Sequence, residues 1–245
     1  NKPLEDAEIY WQIENEAGDI VKNGKWQRDA IGNQSAIQIG KINVSLHNFT
    51  APEHYKLTAG VRGTDFENDW DFWVYPEDQK ASPDGEVLIK RRFEDAREAL
   101  ANGKKVLYMP LTTELAWDCP PIGRKPIFWN RLMGPNWERF LGILSRPEHP
   151  ALKDFPSDEY YDWHWQGVFR PYCRAVNISA MPEIEPVVRV IDDWNRNYPL
   201  AAIFECRAGK GRLLVCSADL EENISERPAA AQLRKSLIDY MKSES

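Results

Sequence analysis

The residues best placed to do chemistry are Asp192-Asp193, which close the apolar run Val187–Ile191. That run reads as a strand, and the carboxyl ends of parallel strands are where open α/β sheets place ligands. Two carboxylates suggest glycoside hydrolysis, which needs a pair roughly 5–9.5 Å apart facing one bond. Adjacent residues in an extended segment point opposite ways, so this pair does not easily form. The plainer account is one capping or hydrogen-bonding Asp and one solvated Asp. The second candidate is the aromatic cluster Asp162-Trp163-His164-Trp165. His164 beside Asp162 would be an oriented base, but residues two apart do not share a helix face. Trp163 and Trp165 diverge for the same reason, one toward the core and the other toward a cleft or partner, where an indole can stack on a sugar. Phe128-Trp129-Asn130 and Trp194, next to Asp193, are further polar-aromatic groups. The expectation is that all three segments meet at the carboxyl edge of one sheet.

Nucleophile chemistry finds less support. Cys119, Cys173, Cys206 and Cys216 contain no CxxC pair, and the four histidines complete no zinc pattern with them. They read as small buried thiols. No Gly-x-Cys-x-Gly or Gly-x-Ser-x-Gly elbow occurs, and no phosphate-loop or dinucleotide glycine fingerprint. Gly209-Lys210-Gly211 reads as a hairpin. The Asn-x-Ser/Thr triplets at Asn43, Asn48, Asn177 and Asn223 read as chance matches. The expectation is therefore no catalytic residue, no metal and no cofactor.

The elements that must hold these residues fall into two groups. Early in the chain, Ile9, Trp11 and Ile13 alternate with polar residues. Ile37 and Ile39 alternate, the phase slips at Gly40-Lys41, and Ile42, Val44 and Leu46 alternate again, which places a bulge at Gly40. Tyr55–Val61 and Trp70–Val74 give two more period-2 runs, with turn signals at Ala17-Gly18-Asp19, Asn23-Gly24, Gly32-Asn33 and Ala51-Pro52. Short strands at this spacing predict a β-sandwich over residues 1–78. A polar stretch with Pro83 and Gly85 follows, and 79–86 reads as a linker. From residue 87 to 245 the pattern changes. Val87–Ile89, the helical spacing of Phe93, Ala96 and Leu100, and Val106–Met109 make a βαβ unit, which implies a parallel sheet. Pro126–Trp129, Val187–Ile191, Ala201–Glu205 and Arg212–Cys216 read as further strands. A final helix runs from Pro228 with Ala230, Leu233, Leu237 and Met241 on one stripe. This half reads as an open, mostly parallel α/β sheet with an antiparallel edge.

Composition bounds the function. The 245 residues carry a formal net charge of -7, and no basic stretch is evident to meet phosphates, so nucleic acid is not expected as a partner. No apolar run approaches the roughly 20 residues a membrane span needs. With 42% hydrophobic and 28% charged residues, the chain should fold as ordinary globular domains. Ten tryptophans point either to bulky cores or to aromatic ligand platforms. The chain begins with Asn rather than Met, which reads as a piece of a longer protein.

Longer strings carry a resemblance. They are Tyr55-Lys-Leu-Thr58, Gly63-Thr-Asp-Phe-Glu-Asn-Asp-Trp70, Asp71-Phe-Trp-Val-Tyr-Pro76, Phe128-Trp-Asn130, His149-Pro-Ala-Leu152 with Phe155-Pro156, Asp162–Trp165, Ile191-Asp-Asp-Trp194, and Gly209-Lys-Gly211 leading to Cys216-Ser-Ala-Asp-Leu220. Together they resemble the C-terminal region of large bacterial proteins of glycoside hydrolase family 2, the β-galactosidase-like or sugar-binding proteins of Bacteroides-type bacteria. The resemblance implies an immunoglobulin-like sandwich followed by a glutamine-amidotransferase-like (flavodoxin-like) α/β domain without that enzyme's nucleophile. It implies a periplasmic, secreted or cell-surface parent, with the parent's other domains and carbohydrate as partners. The family's catalytic glutamates lie on a TIM barrel of about 250 residues, so none transfers to a position here. Three functions follow: a non-catalytic accessory module, a carbohydrate-binding module using Trp129, Trp163, Trp165 and Trp194, and a hydrolase using Asp192, Asp193 and His164. The missing barrel and elbow place the hydrolase last.

Overall fold

The computed structural model describes residues 2–34, 36–79, 85–122, 140–193 and 196–243. The chain divides into two compact units, Asn1–Pro76 and Glu77–Ser245. The first unit carries a four-stranded antiparallel sheet of β1 (Leu4–Asn15), β2 (Ile20–Ile31), β3 (Glu53–Val61) and β4 (Glu67–Val74), ordered β2-β1-β3-β4. Because strand side chains alternate, Ile9, Trp11 and Ile13 share one face and lie opposite Val61, Ala59 and Leu57 of β3. Val44, Phe49 and Ala51 pack over this face against Ile13, Tyr55 and Val74. The other face carries charge pairs such as His54–Asp71 at 2.9 Å and Lys56–Asp69 at 3.7 Å. One side feeds a core and the other meets water, as antiparallel sheets allow.

Two expectations are corrected in this unit. Asn23-Gly24 is not a turn but the middle of β2, opposite Gln12 and Trp11. A Cβ on Gly24 would lie 2.6 Å from Trp11 Nε1, so the missing side chain is what lets the indole lie across the strand. The second correction concerns residues 37–46, which alternate in sequence but form no strand, and Gly40 is no bulge. Gly40 instead sits against the Trp26 ring, 2.7 Å from where its Cβ would be, and the Arg28 guanidinium donates to the Ile39 carbonyl at 2.8 and 3.1 Å. Within this unpaired segment Ile39, Ile42 and Val44 are half-buried, while Ile37 and Leu46 are exposed. Alternation by itself does not make a ladder.

The second unit holds a seven-stranded mixed sheet of β5 (Val87–Lys90), β6 (Lys105–Tyr108), β7 (Phe140–Ser145), β8 (Val176–Asn177), β9 (Val188–Asp192), β10 (Leu200–Ala208) and β11 (Gly211–Cys216). The order is β5-β6-β11-β10-β9-β7, with β8 pairing β10. Helix α1 (Phe93–Ala101) joins parallel strands β5 and β6, and β11 adds to β6 in parallel. Ala96, Ala99 and Leu100 of α1 close a core with Val106, Tyr108, Ala201, Phe204 and Val215. Helix α2 (Trp163–Gln166) is a single turn. Helix α3 (Pro228–Lys242) begins at the expected Pro228, and its Leu233, Leu237, Ile238 and Met241 are fully buried.

The sheet is mixed rather than mostly parallel: β10, β9 and β7 each pair antiparallel with their neighbours. Parallel neighbours need a long crossover, whereas β10 and β11 are joined by a tight hairpin at Gly209-Lys210. Strand β9, expected to be parallel, pairs antiparallel on both sides. Two reversals separate it from β11, however, so it runs in the same direction as β5, β6 and β11. Lys90, Tyr108, Cys216 and Asp192 thus end at one edge of the sheet. Among the described residues, no helix is long and apolar enough to cross a membrane.

Candidate functional site

That shared carboxyl edge holds most of the expected site residues. Asp192, the last residue of β9, is buried and grips Arg196 with both oxygens while accepting from the Tyr198 amide at 2.8 Å. Burial by itself would raise its pKa, but the Arg196 guanidinium and the amide bonds outweigh it and hold the carboxyl below its ordinary range. Asp193 is also buried, and its carbonyl accepts from the amides of Arg196 and Asn197, which turns the chain back toward β10. The Asp192 carboxylate, occupied by Arg196 and the Tyr198 amide, orders this turn and is poorly placed to move a substrate proton.

Asp162 is the N-cap of α2, with Oδ1 accepting from the Trp165 amide at 3.1 Å, and burial raises its pKa. His164 is buried with its ring stacked on Phe155 at 4.5 Å. Trp165 has no solvent exposure and packs between Phe155 and Phe169, at 5.1 and 5.7 Å. Trp163, by contrast, is 56% exposed. The divergence expected of the two indoles is therefore a division between core and surface. Asp192 lies opposite Phe140 in the β7–β9 pair, Phe140 meets Tyr161 edge-on at 5.2 Å, and Tyr161 and Phe169 lie nearly parallel at 6.5 Å. An aromatic row thus connects Asp192 with the Asp162–Trp165 turn, while each carboxylate is engaged locally. Trp129, Asn130 and Trp194 lie outside the described residues.

The same edge contains a hub that the sequence reading did not single out. Asp219, three residues past β11, accepts from the amides of Glu221 and Glu222 at 2.9 and 3.1 Å, from Arg91 at 3.2 Å and from the Tyr172 hydroxyl at 3.3 Å. Burial pushes its pKa up, but the two amides and Arg91 together hold it low. Arg227 is buried beneath, donating to the carbonyls of Asp219, Glu222 and Val168. It ties the 219–222 loop to the end of the α2 segment. The rule that drew attention to Asp192, an acid just past an apolar strand, applies equally to Asp219 and was the available signal. Cys216 sits at this edge fully buried, and that burial pushes its thiol up to about 12. Burial also raises Cys173 and Cys206. Such thiols are protonated at neutral pH and are poor nucleophiles. Among the described residues, no group of three or more His, Cys, Asp or Glu could hold a metal ion.

At the opposite edge, Glu205 of β10 collects three donors: His149 Nε2 at 3.4 Å, Tyr240 Oη at 2.5 Å and Arg212 Nη2 at 3.1 Å. His149, helped by Tyr240 and Arg212, outweighs the cost of burial and brings the Glu205 pKa down to about 2. Arg212 also lies over the Tyr240 ring at 4.4 Å. Glu205 and Arg212 share the β10–β11 hairpin, but His149 and Tyr240 come from distant parts of the chain, so no local motif announces the group.

Comparison with known proteins gives two family matches. Residues 1–76 match a family described as Domain of unknown function (DUF8488), and residues 87–245 match one described as Domain of unknown function (DUF8487). No curated protein matches the chain. The second match spans well over half of the 245 residues, and the chain belongs to the family described as Domain of unknown function (DUF8487).

Proposed function

We propose that this chain is a non-catalytic accessory region of a larger enzyme of the glycoside hydrolase family 2 type, bracing or extending the catalytic part in carbohydrate degradation. The observation that carries this reading is how the candidate acids and bases are spent. Asp192 is held by Arg196 and Tyr198, Asp162 caps α2, and His164 is stacked in the core. Each serves the fold, which suits a scaffold better than a proton-transfer site. The finer fold labels belong to the same reading. The four-stranded sheet with its apolar cover over Ile13, Tyr55 and Val74 would be a reduced immunoglobulin-like sandwich, and the β5-α1-β6 unit the start of an amidotransferase-like, flavodoxin-like domain. A periplasmic or cell-surface location follows from the resemblance. The test is a panel of nitrophenyl glycosides and glutamine with the purified chain. No turnover is expected, and turnover abolished by Asp193→Asn or His164→Ala would overturn the reading.

A second reading, a carbohydrate-binding module, is favoured by one observation: Trp163 presents an exposed indole beside a rigid aromatic core. Titrating galactosides while following tryptophan fluorescence tests it. A saturable change lost in Trp163→Ala supports binding, and no change at millimolar sugar leaves the bracing role.

A further inference from the structure

At the amino edge of the mixed sheet, away from Asp192 and Asp219, lies an open cleft of about 490 Å³. Its lining includes Lys105, Arg207, Lys210 and Arg212 against the single carboxylate of Glu205. Four cations around one anion is a local inversion of a chain whose net charge is -7. The volume falls within the range of small-molecule sites, roughly 300–1,000 Å³.

The cations are not equally committed. Arg212 is spent on Glu205 and the Tyr240 ring, and Lys105 on Glu86 at 2.9 Å and the Lys242 carbonyl at 3.1 Å. Arg207 and Lys210 are exposed and make no ion pair among the described residues. Both belong to the β10–β11 hairpin, which is pressed onto the end of α1: the Lys210 amide donates to the Leu100 carbonyl at 3.2 Å and the Arg212 amide to the Lys104 carbonyl at 3.3 Å. A Cβ on Gly211 would lie 2.3 Å from the Lys104 carbonyl oxygen, so only glycine permits this approach. The hairpin is thereby fixed in place, and the charges it carries start from a rigid base.

We propose that this cleft binds a small anionic ligand through a phosphate, sulfate or carboxylate group, with Arg207 and Lys210 as the new contacts and Lys105 and Arg212 supplying the positive floor. Glu205, ringed by Arg212, Tyr240 and His149, presents little uncompensated charge to repel it. The negative end of α1 lies alongside and would by itself attract lysines. A role limited to complementing that helix predicts no saturable anion binding, so the two accounts separate in experiment. The cleft would bind such a ligand whether or not the chain braces a glycosidase.

The experiment is calorimetric titration of the full chain at low ionic strength with inorganic phosphate, inorganic sulfate, glucuronate and, as the neutral arm, glucose. Saturable millimolar binding of at least one anion and none of glucose is expected. The double variant R207A/K210A, whose side chains are exposed and outside the core, should weaken binding about tenfold, and added salt should weaken it further. Lys22→Ala, an exposed lysine of β2, should leave it unchanged. Preference for glucuronate over phosphate would assign the group to an acidic saccharide, and the reverse to a phosphorylated compound. No saturation by any anion at about 10 mM, well above the affinity expected, or equal affinity in R207A/K210A, would overturn the proposal.

Discussion

The Glu205 hub allows a stability prediction to be worked from its geometry. The side chain of Glu205 is 28% exposed and its pKa is about 2, against an ordinary 4.5. A pKa unit corresponds to about 1.4 kcal/mol, so the ionised form gains on the order of 3 kcal/mol from its native partners. The folded pKa is depressed. The contribution is therefore complete above pH 4.5 and is lost as the pH falls from there through about 2. Glu205→Gln preserves the shape and still accepts from Tyr240, but it loses the charge facing Arg212 and His149. We expect it to destabilise the second unit by about 2–3 kcal/mol at pH 7 and by little at pH 2. The assay is urea unfolding at pH 7, 5, 4, 3 and 2, read by hydrogen exchange of peptides from β10, β11 and α3 so that the second unit is followed by itself. The two proteins should converge between pH 4.5 and 2. A gap of the same size at pH 3 and pH 7, or none at pH 7, would refute the electrostatic account.

Three further substitutions probe packing. Gly24→Ala places a methyl 2.6 Å from the Trp11 indole and should destabilise the first unit by about 1–3 kcal/mol. An unchanged urea midpoint for peptides of β1 and β2 would show that the indole can move aside. Trp165→Ala, at a site with no solvent exposure, should cost about 3–5 kcal/mol, whereas Trp163→Ala, at 56% exposure, should shift stability by less than about 0.5 kcal/mol. Thermal unfolding of the two variants side by side checks this, and similar losses in both would contradict the division between core and surface.

The parts of the molecule legible in the sequence are those set by local periodicity and local breakers. Alternation at Ile9–Ile13 and Tyr55–Val61 reports strands with one dry face. The spacing of Ala96 and Leu100 reports a helix between β5 and β6, and Pro228 marks the start of α3, because Pro tolerates the first helical turn. Asp192 is legible as a hydrogen-bonding acid closing an apolar strand, whereas the solvated Asp expected beside it is not found, since Asp192 and Asp193 are both buried, and the capping role of Asp162 is not legible. The tertiary structure decided what depends on partners distant in the chain. Gly24 is a strand residue because Trp11 covers it, and residues 37–46 form no ladder although they alternate. Strand β9 pairs antiparallel with β10 because β9 ends at Asp192 and β10 begins at Leu200, too short a connection for a parallel crossover. Asp219 and Glu205 become hubs only when Arg91 and Tyr172, or His149 and Tyr240, arrive from distant parts of the chain. Periodicity fixes which side of an element is dry, whereas pairing direction and electrostatic partners are properties of the assembled unit, where long-range contacts outweigh local preference.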